Sequence, residues 1–192
     1  MNIVIGGNIS SGKTTQLNFL ESIGCEVKRE PIEKWPLDLY YSDEERWGFL
    51  FQMIVLQTLE KVEYNCIYES CPYSSKNVFW PLMKKTPEEE QSYEKAYEHY
   101  GWKPDLYILI DKTPELCYEH LLKRNQAGDT GVTLDYLQKL HLKYQELFEK
   151  LDCKKYKING NQNIKNVNND IVKIIRENCP SIITKDNDLS ME

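Results

Sequence analysis

The chain is short of positive charge. Its 24 lysines and arginines face 30 aspartates and glutamates, a formal net charge of −6. That balance argues against a general nucleic-acid or acidic-membrane binder, which needs a basic face. There is no apolar run of membrane-spanning length, and no C-x-x-C pair among six scattered cysteines (Cys25, Cys66, Cys71, Cys117, Cys153 and Cys179). The cysteines therefore read as reduced packing residues of a cytosolic protein rather than a disulfide frame. Three histidines without ligand spacing give no zinc signature. A phosphate-loop pattern begins so near Met1 that no signal or transit peptide is expected. No internal repeat is visible, and 192 residues with 41% apolar content suit one domain over 1–192.

Gly7-Asn8-Ile9-Ser10-Ser11-Gly12-Lys13-Thr14 fits G-x-x-x-x-G-K-[ST]. Glycines let the backbone curl so that its N–H groups, with the positive end of the following helix, point at phosphate oxygens. Lys13 would bridge the β- and γ-phosphates and the Thr14 hydroxyl would hold Mg²⁺. The context agrees: an apolar strand at Asn2–Ile5 precedes the loop, and Leu17, Leu20 and Ile23 recur at near-helical spacing after it.

Elements then alternate. A second strand is expected at Cys25–Arg29, a loop at Leu37–Asp43, and a helix from about Glu44 to Val62 capped by Ser42 or Asp43. A third strand follows at Asn65–Glu69. A helix from Tyr73 to Trp80 should stop at Pro81, and another opens at Thr86-Pro87-Glu88-Glu89. Asp105–Ile110 is the clearest buried strand. Helices from Thr113 to Arg124 and from Thr133 to Leu151, a strand at Tyr156–Ile158 and a final helix at Ile171–Arg176 complete the chain. The asparagine-rich stretch 159–169 carries no element, and residues 180–192 read as a frayed tail. The result is a doubly wound α/β domain with about five parallel strands, whose ligands bind at the strands' carboxyl ends.

Three side chains stand out. Glu30 ends the second strand at that edge, where a carboxylate is either a general base for a substrate hydroxyl or a plain solvated acid. Glu69 ends the third strand, as a magnesium-side acid or a surface one. Gln52 lies nominally on an apolar helix face, pairing with a base edge or pointing at water. Trp35 and Tyr41 read equally as packing aromatics.

Four stretches in order resemble the deoxyribonucleoside kinase family, the group holding insect multisubstrate, mitochondrial thymidine and deoxycytidine kinases. They are Gly7–Thr15 (GNISSGKTT), Glu30–Trp35 (EPIEKW), Trp47–Thr58 (WGFLFQMIVLQT), and Tyr118–His141, which includes Tyr136-Leu137-Gln138-Lys139-Leu140-His141. The likeness runs from about Asn2 to Leu151. It implies a P-loop kinase fold with a lid at about 124–131, and an ATP-dependent enzyme, cytoplasmic in setting and homodimeric, that phosphorylates the 5′-hydroxyl of a deoxynucleoside for DNA-precursor salvage. By that resemblance Gly7, Asn8, Ile9, Ser10, Ser11, Gly12, Lys13, Thr14 and Thr15 bind ATP, while Thr14 and Glu69 hold Mg²⁺. Glu30 is the base, acting with Lys13 and Arg124. Trp35 walls the nucleoside, Gln52 pairs with the base, and Tyr41 and Asp129 meet the sugar 3′-hydroxyl. Val55, Leu59 and Ser75 stand near the base, where uncharged residues imply a thymidine-like pyrimidine.

Two departures matter. The family's E-R-S triplet reads Glu69-Ser70-Cys71, and the lid's R-x-R reads Arg124-Asn125-Gln126. A missing cation costs phosphoryl transfer heavily unless another, such as Lys34 or Arg46, replaces it. A nucleoside monophosphate kinase and a catalytically weakened nucleotide-binding scaffold are therefore the alternatives.

Overall fold

The computed structural model describes residues 1–60, 65–124 and 131–183. A five-stranded, wholly parallel sheet runs β2–β3–β1–β4–β5 in space. Its strands are β1 (Ile3–Gly7), β2 (Val27–Lys28), β3 (Ile67–Tyr68), β4 (Leu106–Asp111) and β5 (Lys154–Asn159). The long register is β1 on β4, from Ile3 opposite Leu106 to Gly7 opposite Ile110.

Alternation along these strands builds two core layers. Ile3, Ile5, Leu106, Ile108 and Ile110 point to one face, beneath α1 (Lys13–Ser22) and α8 (Ile164–Asn178), where they meet Leu17, Leu20, Ile171 and Ile175. Val4, Tyr107 and Leu109 point to the other, against α6 (Pro114–Arg124) and α7 (Leu134–Lys150), through Cys117, Leu121, Leu137, Leu140 and Leu147. Each such fully buried aliphatic side chain stabilises the fold by about 1.5–3 kcal/mol. All six cysteines are free, as expected, and five are buried.

The remaining helices form an annex beside β3. Here α2 (Leu37–Ser42) and α3 (Glu44–Thr58) meet in a small aromatic core of Tyr40, Phe51, Val55 and Leu59. The expected loop Leu37–Asp43 is thus a helix over Leu37–Ser42: Tyr40 stacks on Phe51 with ring centroids 4.5 Å apart, a tertiary contact that outweighs weak local propensity. The Asp43 side chain caps α3 by accepting from the Arg46 N–H at 3.1 Å. In place of a Tyr73–Trp80 helix there is one turn, α4 (Pro72–Ser74), then a π-turn over Ser75–Phe79 and a 3₁₀ turn over Trp80–Leu82. Thr86 opens α5 (Pro87–Tyr100) with a full capping box to Glu89.

Helix α8 begins at Ile164, seven residues before the expected start, because Asn163 caps it and Ile164 to Asn178 keeps one apolar stripe under an asparagine-rich outer face. Part of the expected tail is also built in, since Pro180–Ile182 makes a 3₁₀ turn and buries Ile182. Residues 184–192 and most of the expected lid, residues 125–130, lie outside the described residues.

Candidate active site

The connection after β1 runs to β2 on one side of the sheet and the connection after β4 runs to β5 on the other, so a crevice opens between the carboxyl ends of β1 and β4. A cleft of about 560 Å³ fills that crevice, lined by the phosphate loop, the end of β2, α2, α3, the π-turn, and the facing sides of α6 and α7.

The donor half is backbone. Gly7, Ser10 and Gly12 have φ of 152°, 59° and 105°. A Cβ on Gly7 would stand 2.9 Å from the Ile110 carbonyl oxygen, so that position admits glycine only. Asn8 is 3% exposed and braces the loop, its Nδ2 donating to the Leu137 carbonyl at 2.8 Å and its Oδ1 accepting from the Ile9 N–H at 2.9 Å. Gly12 precedes α1 with no side-chain cap, which leaves the first N–H groups of the helix for an anion. The Lys13 ammonium folds onto the Gly7 and Asn8 carbonyls at 3.0 and 3.1 Å. The Ser10 and Ser11 hydroxyls are buried without a hydrogen-bond partner, an arrangement that phosphate oxygens would complete. Of the nine loop residues expected to bind ATP, Ile9, Ser10, Gly12, Lys13, Thr14 and Thr15 line the cleft. Gly7, Asn8 and Ser11 shape it from behind.

Between the halves sit three carboxyl and hydroxyl groups. Thr14 donates its hydroxyl to Glu69 Oε1 at 2.6 Å, and the other Glu69 oxygen accepts from the Glu30 N–H at 3.3 Å. Glu30 faces the cleft and its carboxyl is pushed up to about 7. Lost hydration is the chief cause, opposed by Lys13, reinforced by Glu69, and eased by a hydrogen bond from Ser70. Ser70, which stands where the resemblance expects arginine, lines the cleft together with Glu30.

The acceptor half is aromatic and uncharged. Trp35 packs edge-on to Phe51 and its Nε1–H donates to the Thr58 hydroxyl at 2.8 Å. Gln52 is 2% exposed yet lines the cleft, so it does not point at bulk water. The Ser75 hydroxyl donates to Gln52 Oε1 at 2.7 Å, which fixes the amide while leaving one oxygen lone pair and both Nε2 protons for a ligand. Val55 and Tyr41 line the same wall, whereas Leu59 stands behind it, its carbonyl accepting from Trp102 Nε1–H. Asp129 lies outside the described residues. Arg124 reaches the cleft from the last turn of α6. Lys34 and Arg46 do not line it. Both are exposed, and the Arg46 guanidinium lies 5.0 Å from the Trp47 ring centroid, so neither fills the place of the missing arginine.

Several lining residues carry no role in the sequence reading, Tyr136 and His120 among them. Tyr136 and Tyr40 line the cleft together, and burial holds both phenols above their usual range, Tyr40 at about 12. His120 lies one turn before Arg124 on α6, a spacing that puts both on one helix face.

A family model described as deoxynucleoside kinase matches residues 3–182. The chain belongs to the deoxynucleoside kinase family. It is 31% identical to human mitochondrial thymidine kinase 2 over 166 residues, 75% of this chain and 63% of that protein. It is 30% identical to a fowlpox virus (strain NVSL) protein named a probable deoxycytidine kinase, over 81% of this chain and 75% of the relative. In fold it is similar to a deoxyadenosine kinase from M. mycoides solved with bound dCTP, with a TM-score of 0.80 at 20% identity, covering 92% of this chain and all of that one. The chain is accordingly a phosphotransferase acting on a nucleoside hydroxyl, built on the P-loop kinase fold. Among the described residues no helix is long and apolar enough to cross a membrane.

Proposed function

We propose that this kinase transfers the γ-phosphoryl group of ATP to the 5′-hydroxyl of a pyrimidine deoxynucleoside, thymidine above all. The observation that carries the reading is that a phosphate loop and the Glu30 carboxylate meet in one cleft, with Gln52 at the far end. In its ionised form Glu30 accepts the 5′-hydroxyl proton as the oxygen bonds to the γ-phosphorus. The bond from that phosphorus to the β–γ bridging oxygen breaks and ADP leaves. Lys13 and Arg124 face the charge on the transferring group. Loop amides and the unpartnered Ser10 and Ser11 hydroxyls bind the rest of the triphosphate.

Thr14 and Glu69 suit Mg²⁺: both are hard oxygen donors, already 2.6 Å apart at the end of the loop. Bound there, the ion would neutralise phosphate charge. Trp35 and Phe51 flank the nucleoside, Tyr41 and Asp129 are assigned to the sugar, and Gln52 to the base. Val55 and Ser75 are neutral and small, which suits a thymine-like edge with one donor and one acceptor. The cations lining the cleft among the described residues are Lys13 and Arg124, on the loop and α6. The acceptor half offers none for a substrate phosphate, which favours a nucleoside over a monophosphate acceptor. A homodimer in the cytoplasm completes the reading, with sedimentation velocity as the test of the dimer.

ADP release in a coupled assay across the four deoxynucleosides and their monophosphates tests the function. The expected order places thymidine first and monophosphates at background. Preference for deoxyguanosine would overturn the base assignment, phosphorylation of dTMP would overturn the acceptor, and absence of turnover with retained ADP binding would mark a nucleotide-binding scaffold.

A further inference from the structure

Thr58 has no functional role in the sequence reading and does not line the cleft, yet it touches a wall that does. It closes α3, and its hydroxyl donates back along the helix to the Ile54 carbonyl at 2.7 Å, with the Val55 carbonyl at 3.1 Å as a second acceptor. The same oxygen accepts from Trp35 Nε1–H at 2.8 Å. A hydroxyl has one proton and two lone pairs, so the bond back to the helix leaves a lone pair turned to the indole. An indole N–H only donates, and a half-buried one needs its acceptor. The end of α3 is itself anchored. Carbonyls of a last helical turn lack partners within the helix, and here the Leu59 carbonyl accepts from Trp102 Nε1–H at 2.8 Å. The Trp102 ring in turn meets Tyr68 of β3 with centroids 4.8 Å apart. Trp35, by contrast, stands on the connection between β2 and α2, and its ring is held edge-on to Phe51 at 6.0 Å and by the Thr58 hydroxyl.

We propose that Thr58 is a positioning residue for the nucleoside: from the anchored end of α3, its hydroxyl fixes the tilt of the Trp35 ring in the acceptor half of the cleft. The proposal rests on reading Trp35 as the nucleoside wall. The outer torsion of a tryptophan side chain is broad, so packing or a hydrogen bond must set it. A ring wall works through many short-range contacts, and a gap of about 0.5–1 Å forfeits roughly a quarter to a half of each. An indole free to tilt therefore grips a nucleoside less well than one fixed before the ligand arrives. Thr58 does not reach the reacting atoms, so its effect falls on nucleoside binding and leaves phosphoryl transfer alone.

The test reads the hydrogen bond and its effect on binding separately. Trp35→Phe deletes one of the four indole N–H signals from the NMR spectrum and so identifies that of Trp35. In Thr58→Val, which keeps the volume and loses the acceptor, that signal should move upfield and its proton should exchange faster with solvent. Thymidine Kd and KM should rise roughly 3- to 10-fold, the loss of one hydrogen bond. Both kcat and MgADP affinity should stay within about two-fold of native. Thr58→Ser, which keeps the hydroxyl, should restore most of the thymidine affinity. Trp35→Phe should itself weaken thymidine, and adding Thr58→Val to it should weaken it less than about two-fold further, because the bond is already gone. If Thr58→Val fails to fold, Trp35→Phe removes the same bond from its other partner, and native thymidine affinity in that variant would overturn the proposal. Equal losses in Thr58→Val and Thr58→Ser, a parallel loss of MgADP, or native thymidine affinity in Thr58→Val would each overturn it too. Failure of the unaltered protein to bind any of the four deoxynucleosides would remove the nucleoside-wall reading and the proposal with it, whereas the Trp35 proton reports on the bond whatever the ligand.

Discussion

The two halves of the cleft are built by different means. The donor half is main chain in unusual conformations, closed by loop carbonyls and by Asn8, and a glycine or a left-handed residue there has few substitutes. The acceptor half is side chains on α2, α3 and a π-turn, held by ring packing and by single hydrogen bonds such as Ser75 to Gln52. Backbone recognition suits a ligand part common to all substrates, the triphosphate. Side-chain recognition suits the part that varies, and can be retuned without disturbing the fold. Substitutions at Glu30 and in the acceptor half should therefore act on turnover and nucleoside choice while leaving MgADP affinity unchanged.

Glu30→Gln, at the seam, gives the largest expected effect. The amide cannot take the hydroxyl proton, so kcat should fall by roughly 10²–10⁴ while thymidine and MgADP still bind. In the native protein kcat/KM for thymidine should fall as pH drops below about 7, where the raised Glu30 carboxyl is protonated. The stability effect has the opposite sign. The folded state holds that proton to about 7 and the unfolded chain only to about 4.5, so Glu30 lowers stability as pH rises from one value to the other. Glu30→Gln should accordingly raise the melting temperature at pH 8 more than at pH 5. A native kcat in this variant would dissolve the seam as the place of chemistry.

Gln52→Ala comes next. Losing a paired edge at a buried position should weaken thymidine by about 1–3 kcal/mol in KM or Kd, with MgADP affinity unchanged. A parallel loss of MgADP would show that the halves are coupled and break the comparison. Ser70→Arg tests the family departure directly. Ser70 lines the cleft with Glu30, and neither Lys34 nor Arg46 lines it. An arginine there should lower the Glu30 carboxyl and raise kcat several-fold below pH 7, with a smaller change in KM. Activity unchanged across pH would place Ser70 outside the chemistry.

Legibility in the sequence follows the same division. The loop, β1 and β4 are written in contiguous residues whose types admit few other structures, and they appear within two residues of the expected ends. The acceptor half depends on contacts between distant segments. Nothing local marks 37–43 as a helix; the stacking of Tyr40 on Phe51 decides it. The asparagines of 159–169 hide the start of α8, because its apolar stripe is spaced at helical intervals under a polar face. Glu30, Glu69 and Gln52 could be chosen from their places at strand ends and on a helix face, but only the fold brings them to one cleft. His120 and Tyr136 fall within the resembling stretch Tyr118–His141, yet nothing there singles them out as lining the cleft, apart from the place of His120 one turn from Arg124.

Ser75→Ala should have the smallest effect and sharpen the comparison most. The Ser75 hydroxyl is 2.7 Å from Gln52 Oε1 and both side chains are 2% exposed, so the bond is made in a nearly dry setting. It adds no contact to a ligand of its own. What it does is hold the amide with its oxygen on one side, so that a base meets a prearranged edge. Alanine frees the amide to turn over, and each base must then pay the ordering that serine supplied in advance. Thymidine KM should rise by about 0.5–1.5 kcal/mol, with kcat and MgADP affinity close to native. Selectivity should flatten as well, since a freely turning amide presents donor and acceptor in either order. If KM rises equally for thymidine, deoxycytidine and deoxyadenosine, Ser75 serves packing alone. If the thymidine preference shrinks while the other nucleosides hold, the orientation of one buried amide sets the base choice of the acceptor half.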